Sequence, residues 1–535
     1  MAAVKPTTLE RKVLRHNMNI TATHRVKDSQ GKTVGFVIDH EYRHYYDVLR
    51  NIALIDNLTL DESGEIVWGD EELPVRYIAD INTGIYDRIC GENPLERDVQ
   101  RKLEKWLAHW SGYVLYVTGA RQTGKTTEIL KFAYKHYEQI IYVNLADQKQ
   151  LEELERSVEN TSLYFGLIDY CRKSGNSEFD NSQRTILIID EIQESSKIYN
   201  SIRALQRELK CHIAVTGSYL GKILNARYFK PAGNMYEIEM LPLSFREFSR
   251  AYDLEGLLMK IDLFGKSADE EYGALTRIYR IYRKIGGYPA VVSTYRKTSD
   301  MDSCREVIKS IIERFTEESA SYFRDTKCAV VFENVYKAAF ISMTKEKRGT
   351  SARDIRDITE FIREDTNEHV SRKEVNDAIS WLKFSGILGS CDWYNQGKAT
   401  DLLSERRFYF MDCGIANYLA ALTPIQNCAV EGIIAENFVY SELYRLYRED
   451  RLKGDKPCCS VYGNYELDFM LVDKDDKRYG IEVKSNNSDK HKSLDLYLEK
   501  ELIHEAYVAE ITRGGTGKKI RRIPIYTVGC RFPYQ

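Results

Sequence analysis

The sequence predicts an α/β fold built on a parallel sheet, and three observations predict it. Residues 97–245 alternate short apolar runs with helical patterns. One run, Tyr113–Val117, leads into a glycine-bounded turn that ends on Lys125-Thr126. Another, Ile186–Ile189, stops on two carboxylates, Asp190 and Glu191. Alternating strands and helices imply helices on both faces of a parallel sheet.

Four strand candidates stand out: Tyr113–Val117, Ile140–Asn144, Thr185–Ile189 and His212–Val215. Each is short and rich in β-branched or aromatic residues, which suits strands buried on both faces. Thr127–Tyr137 reads as the helix after the glycine turn. Ahead of this module, residues 1–96 read as a small α+β module, with strands at Val34–Ile38 and Gly64–Trp68 and no recognisable chemistry. Behind it, 246–325 is mostly helical and closes on Gly286-Gly287-Tyr288-Pro289. Residues 326–395 look like a winged helix: Ser351–Thr359 and Ser371–Phe384 are its helices, and Gly386-Ile387-Leu388 starts a wing strand. The stretch 396–535 returns to mixed strand and helix.

A chain of 535 residues has room for roughly three to four domains. Its 43% hydrophobic and 29% charged residues are ordinary for a globular protein with a sizeable core. A formal net charge of −3 gives no whole-molecule basic field, so a nucleic-acid site must be a local patch. The 11 cysteines include no C-x-x-C pair, which fits free thiols in a reducing compartment. The N-terminus lacks the apolar core of a signal peptide. No apolar run approaches the roughly 18 residues of a membrane span. The reading is cytoplasmic, with no membrane partner.

Gly119-Ala120-Arg121-Gln122-Thr123-Gly124-Lys125-Thr126 fits G-x-x-x-x-G-K-[ST] at every fixed position, between a strand and a helix. Glycines let the backbone turn its N–H groups inward around phosphate oxygens, and the helix N-terminus adds positive potential. The cradle is Gly119 to Thr127, with Thr127 opening the helix. Lys125 is placed for the β- and γ-phosphates of ATP, and Thr126 for Mg²⁺. Asp190 is the second Mg²⁺ residue, held through water, and Glu191 the base that polarises the attacking water. At the end of the next strand, Thr216 and Ser218 are candidates to sense the γ-phosphate.

Residues 97–535 resemble a prokaryotic family of AAA-superfamily P-loop ATPases with a helical lid, a winged helix and a C-terminal restriction-endonuclease-like domain of unknown function. The marks are GARQTGKTT, IIDEIQ, VTGSYLG, EMLPLSFREF, GGYPAVV, RFYFMDCGIANYL, ENFVYSEL and IEVKS, in order. The resemblance implies an AAA-type (additional-strand) ATPase core at 97–245, a lid at 246–325, the winged helix at 326–395 and a PD-(D/E)xK-like α/β domain at 396–535. The family often carries Gly-Arg just before the strand leading to LPLSFREF. Here Asn234 follows Gly233, so that arginine has no counterpart, and Arg227 and Lys230 are the nearby cations.

A metal-dependent nuclease of the restriction-endonuclease-like fold needs a helix acid, a strand-end Asp and a Glu-x-Lys on the next strand. Glu436 lies in the helical stretch Ile433–Tyr447, and Asp468 starts an apolar run. Glu482-Val483-Lys484 follows fourteen positions on, and alternation puts Glu482 and Lys484 on one strand face. Asp468 and Glu482 are then the candidate metal ligands, and the run Lys518, Lys519, Arg521, Arg522 could grip a phosphate backbone. In the winged helix, Arg372, Lys373, Asn376 and Lys383 are candidate DNA contacts, but Glu374 and Asp377 interleave with them. Val375, Ile379 and Leu382 face the core.

Two functions are open. One is an Mg²⁺-dependent ATPase whose nucleotide state controls a nuclease-like module acting on DNA or RNA. The other is a slow nucleotide-operated switch or scaffold whose C-terminal domain is catalytically inactive and binds a partner. Assembly into a homo-oligomer is compatible with either.

Overall fold

Largely apolar strands that are buried at consecutive positions need cover on both faces, and the central sheet has it. The computed structural model describes residues 95–110, 112–160, 163–175, 178–218, 235–322, 328–344, 355–366, 370–394, 407–423, 427–484, 491–517 and 519–534, with five short strands ahead of them. Those strands are β1 (Arg25–Lys27), β2 (Thr33–Phe36), β3 (Thr59–Leu60), β4 (Ile66–Val67) and β5 (Ala79–Asp80). β1 pairs antiparallel with β2, and β3 with β4. β2 and β4 fall within or beside the stretches expected as strands, Val34–Ile38 and Gly64–Trp68, whose other residues lie outside the described ones. The chain divides into two compact units, the first running from Met1 to Met240 apart from Ala120–Thr123, the second comprising Ala120–Thr123 and everything after Met240.

In the first unit, β5 to β10 form one six-stranded sheet. The new strands are β6 (Val114–Thr118), β7 (Gln139–Asn144), β8 (Thr185–Asp190), β9 (His212–Gly217) and β10 (Met235–Glu239). Their order is β10-β6-β9-β8-β7-β5, and every neighbouring pair is parallel. The glycine-turn strand β6 and the acid-ended strand β8 are thus separated by one strand, β9. Helices α1 (Val99–Ala108) and α2 (Lys125–His136) supply Leu103, Trp106, Ile129 and Phe132 to a core that takes Leu115, Tyr142, Ile186 and Ile188 from the sheet. On the other face Val114, Ile141, Leu187, Ile189 and Val215 pack on α3 (Gln148–Asn160), α4 (Leu163–Gly175) and α5 (Ser196–Glu208). Adjacent residues of one strand enter different cores, which is why the runs read as continuously apolar.

The second unit starts with helices α6 (Phe245–Arg250), α7 (Glu255–Lys260), α8 (Asp269–Ile285), α9 (Pro289–Thr298) and α10 (Met301–Tyr322). Three more follow, α11 (Cys328–Thr344), α12 (Ile355–Thr366) and α13 (Arg372–Phe384). Val375, Ile379 and Leu382 of α13 are buried, as their spacing predicts. Glu374 serves the helix itself, closing a capping box with Ser371 at its start. Strands β11 (Leu388–Trp393) and β12 (Arg407–Phe410) then pair antiparallel, Leu388 opposite Phe410. Hydrogen bonding therefore runs across residue 395, where a domain boundary was expected.

That hairpin continues into an eight-stranded sheet of order β12-β11-β13-β14-β15-β16-β18-β17. Its other strands are β13 (Cys458–Tyr462), β14 (Tyr465–Val472), β15 (Arg478–Val483), β16 (Glu505–Glu510), β17 (Gly515–Thr516) and β18 (Ile520–Pro524). β13, β14 and β15 form an antiparallel meander, and β16 returns parallel to β15. α14 (Cys413–Ala421) and α15 (Asn427–Arg448) precede the meander, and α16 (Lys492–Glu499) bridges β15 to β16. No helix among the described residues is long and apolar enough to cross a membrane.

Several of the sequence marks meet in one buried seam of this unit. Asp412 accepts from the Gly287 amide at 2.6 Å and, as the N-cap of α14, from Ile415 N at 3.1 Å. Gly287 O in turn accepts from Leu243 N at 2.7 Å. Glu442 Oε1 accepts from Phe245 N at 3.1 Å, and Arg445 Nη2 donates to Pro242 O at 2.7 Å. The motifs LPLSFREF, GGYP, MDCG and ENFVYSEL are therefore polar anchors of a shared core. A buried backbone N–H without an acceptor is costly, so these side chains are tightly specified.

Burial pushes the Asp412 carboxyl up to about 6, against the pull of the Gly287, Ile415 and Gly414 amides. Between its ordinary value of 3.8 and that level, the folded state holds more protons than the unfolded one, so this contribution fades as pH rises. Asp412→Ala should cost about 2–4 kcal/mol at low pH. The deficit relative to wild type should shrink as pH rises from about 4 to about 6, read from urea midpoints.

Candidate functional site

The carboxyl ends of β6, β8 and β9 converge on one carboxylate. Beyond β6 the chain turns through Gly119 at φ 134°, Gln122 at φ 62° and Gly124 at φ 94°, and Gly124 is the N-cap of α2. A Cβ on Gly119 would run into the Met240 carbonyl, so a side chain is excluded there whatever the backbone allows. Thr123 Oγ1 donates to Ala120 O at 2.8 Å, closing the turn on itself. Lys125 Nζ donates to Gly119 O at 3.0 Å, which stretches its side chain back over the loop.

Asp190 ends β8 and is buried. Its Oδ2 accepts from Thr126 Oγ1 at 2.8 Å and from Tyr142 OH at 2.8 Å. Its Oδ1 accepts from Thr216 Oγ1 and from Glu191 N at 3.1 Å. Burial and then the Glu191 charge push its carboxyl above the ordinary range, and the Thr216, Thr126 and Tyr142 hydroxyls act the other way. Glu191 itself sits in the left-handed region at φ 53°. Its Oε2 accepts from Gln193 Nε2 at 2.6 Å and Ser218 Oγ at 2.7 Å. The residues expected at this end of the sheet are thus tied in pairs: Thr126 with Asp190, Thr216 with Asp190, and Ser218 with Glu191.

Two participants were not legible as such. Tyr142 lies within an apolar strand run, and only the sheet order puts its hydroxyl on Asp190. Gln193 follows the acid pair by two residues, and the short helical turn Ile192–Glu194 aims it back. The cations Arg227 and Lys230, and Asn234, lie outside the described residues.

The second candidate constellation is one connected charged group, in which the Asp468 carboxyl interacts with Glu436, Arg407 and Lys484, and Lys484 with Glu482. Asp468 and Glu482 come one rung beyond the Phe469–Ile481 pair of β14 and β15, and so share a sheet face. Yet Glu482 Oε2 faces Lys484 Nζ at 3.3 Å and His491 Nδ1 at 3.6 Å. Asp468 Oδ1 faces Arg407 Nη1 at 3.8 Å, and Glu436 Oε2 lies 3.9 Å from the same nitrogen. Arg407 Nη2 pairs with Glu466. Tyr409 OH donates to Glu436 Oε2 at 3.2 Å, and Val483 N to Asp468 Oδ2 at 2.9 Å. Burial, then the charge of Glu436, push the Asp468 carboxyl up to about 6. Among the described residues no group of three or more His, Cys, Asp or Glu side chains is arranged to hold a metal ion. Asp468 and Glu482, the tentative metal pair, lie opposite one another on β14 and β15, with Arg407 beside Asp468 and Lys484 beside Glu482. Arg407 was missed because nothing local distinguishes one arginine at a strand start.

The basic run does not act as one patch either. Arg521 Nη1 turns to Tyr507 OH at 3.1 Å, whereas Arg522 reaches Glu510 and His491 at 3.4 Å each. Arg522 lines an open pocket of about 510 Å³ with His491, Asp495, Thr516 and Lys519. Lys518 lies outside the described residues.

Residues 111–249 match the family model of an AAA domain. Residues 276–426 and 431–526 match two domains of unknown function, DUF8612 and DUF4143. An uncharacterized protein of Haemophilus influenzae is 26% identical over 213 residues, 38% of this chain and 44% of that protein. The chain thus spans under half of that relative's length. Among solved structures, a Walker-type ATPase of Pyrococcus abyssi aligns at TM-score 0.38 and 13% identity, over 61% of this chain and 96% of that one. The Aeropyrum pernix ORC1 protein in complex with DNA aligns at 0.27 and 15%, over 63% and 91%. The Thermotoga maritima RuvB Holliday junction branch migration motor aligns at 0.27 and 13%, over 55% and 90%. Residues 111–249 are a P-loop ATPase-type domain on a parallel sheet.

The hydroxyl network around Asp190 is testable apart from activity. Tyr142→Phe removes a donor to a buried carboxylate and should cost about 1–3 kcal/mol in urea unfolding. Tyr116 also lies in this sheet, and its buried hydroxyl has no hydrogen-bond partner. Tyr116→Phe should be neutral or stabilising, and an equal cost for the two would contradict the account.

Proposed function

We propose that this chain binds ATP with Mg²⁺ at Gly119–Thr127 and hydrolyses it. The observation that carries the reading is the 2.8 Å bond between Thr126 Oγ1 and Asp190 Oδ2. A hydroxyl and a carboxylate in contact at the end of a parallel sheet are the hard oxygen donors that Mg²⁺ takes. Their protons and charges fit it: a divalent cation would take over the role the hydroxyl donors now play on Asp190. When bound, Mg²⁺ would supply neutralisation of the β- and γ-phosphate oxygens.

The remaining roles fall to the chain's own groups. The amides of Ala120, Arg121, Gln122, Thr123, Gly124, Lys125, Thr126 and Thr127 line the phosphates at a helix N-terminus. Lys125 would leave the Gly119 carbonyl for the β- and γ-phosphates. Glu191 orients and polarises the attacking water. Gln193 and Ser218, both on its Oε2, hold it in place, so nucleotide would have to loosen these bonds before Glu191 acts. That coupling makes Ser218 the residue that reports the γ-phosphate.

For the rest of the chain, a winged-helix reading of residues 326–395 is supported by three helices followed by strand β11, which pairs antiparallel with β12. The order of a helix with Glu436, a strand with Asp468 and a next strand with Glu482, followed just past its end by Lys484, supports a restriction-endonuclease-like reading of the last domain. The nucleotide state would control this module. The Arg407 guanidinium facing Asp468 and Glu436 favours the second function, a nucleotide-operated switch whose C-terminal domain engages DNA, RNA or a protein without cutting.

Lys125→Ala should abolish tight ATP binding. Glu191→Gln should keep binding and lower single-turnover hydrolysis by about 100-fold or more. Unchanged ATP affinity in the first variant would refute the site assignment, and unchanged hydrolysis in the second would refute the role of Glu191.

A further inference from the structure

The acids of the C-terminal domain surround a cation that the chain itself provides. Arg407 opens β12, where it pairs with Cys391 across the hairpin, so its backbone is fixed. Its side chain is 4% exposed. From that position the guanidinium reaches carboxylates from two other elements: Glu436 on α15, and Glu466 and Asp468 on β14. The Tyr409 hydroxyl joins Arg407 Nη1 to Glu436 Oε2, at 3.4 and 3.2 Å. The cluster therefore has the carboxylates of a cation site, and a planar, permanently charged side chain sits among them.

A divalent ion on Asp468 and Glu436 would have to bind at about 2.0–2.6 Å from their oxygens, beside a guanidinium that cannot lose its proton. The two cations exclude each other. We propose that Arg407 occupies the place of a divalent cation in the C-terminal domain, so that the domain is a metal-independent binding module with a built-in cationic centre. The proposal rests on the restriction-endonuclease-like reading of that domain.

The test is Mn²⁺ titration of the full chain without nucleotide, followed by electron paramagnetic resonance. It compares wild type, Asp468→Asn, Arg407→Met and the double variant. Wild type and Asp468→Asn should bind the same Mn²⁺. Arg407→Met should gain a site about ten-fold or more tighter than anything in wild type, and the double variant should lose it. Mn²⁺ on wild type that disappears in Asp468→Asn would overturn the proposal, and this comparison needs no Arg407 variant to fold. A folded Arg407→Met chain with no new site would also overturn it, and would count against the restriction-endonuclease-like reading itself. Circular dichroism separates that outcome from misfolding.

Discussion

A carboxylate buried at the end of a central parallel strand must be satisfied by its neighbours, and at Asp190 this requirement organises the first unit. Its partners come from α2, β7 and β9. They can reach it only because β9 lies between β6 and β8 and β7 lies on the far side. Changing the strand order would leave the acid either unpaired or exposed. The glycine turn depends on the same arrangement, since Gly119 is pressed against the Met240 carbonyl at the end of β10. Packing, turn geometry and charge are therefore one constraint, and it is imposed where strand order lets loops open on a crevice.

The second unit solves a different problem with the same means. Its helices and its mixed sheet share a core, and polar side chains at the seam saturate backbone groups that the irregular connections leave open. Asp412 and Glu442 accept amides from segments far away in sequence. Such residues look like catalytic acids in a sequence, because they are acidic, surrounded by apolar residues and set in distinctive motifs. Their contacts give them a structural role.

The parts legible in the sequence are those whose chemistry is local. The glycine turn, Lys125 and Thr126 are contiguous, and the acids Asp190 and Glu191 end an apolar run. Helix α13 announces itself through Val375, Ile379 and Leu382. What stayed hidden depends on topology. Tyr142 meets Asp190 through neighbouring strands, and the β11–β12 hairpin joins the large sheet across an expected boundary. Arg407 meets three carboxylates brought by two elements. One consequence is chemical: the Glu436, Asp468, Glu482 and Lys484 that read as one cutting centre share their place with the guanidinium of Arg407.

The central claim is that Asp190 and Thr126 form the Mg²⁺ side of a nucleotide site. The most direct measurement is titration of a fluorescent ATP analogue with and without Mg²⁺, on wild type and Asp190→Asn. The account predicts that Mg²⁺ tightens binding to wild type by about ten-fold or more and leaves Asp190→Asn nearly unchanged. An equal response of the two proteins to Mg²⁺ would contradict it.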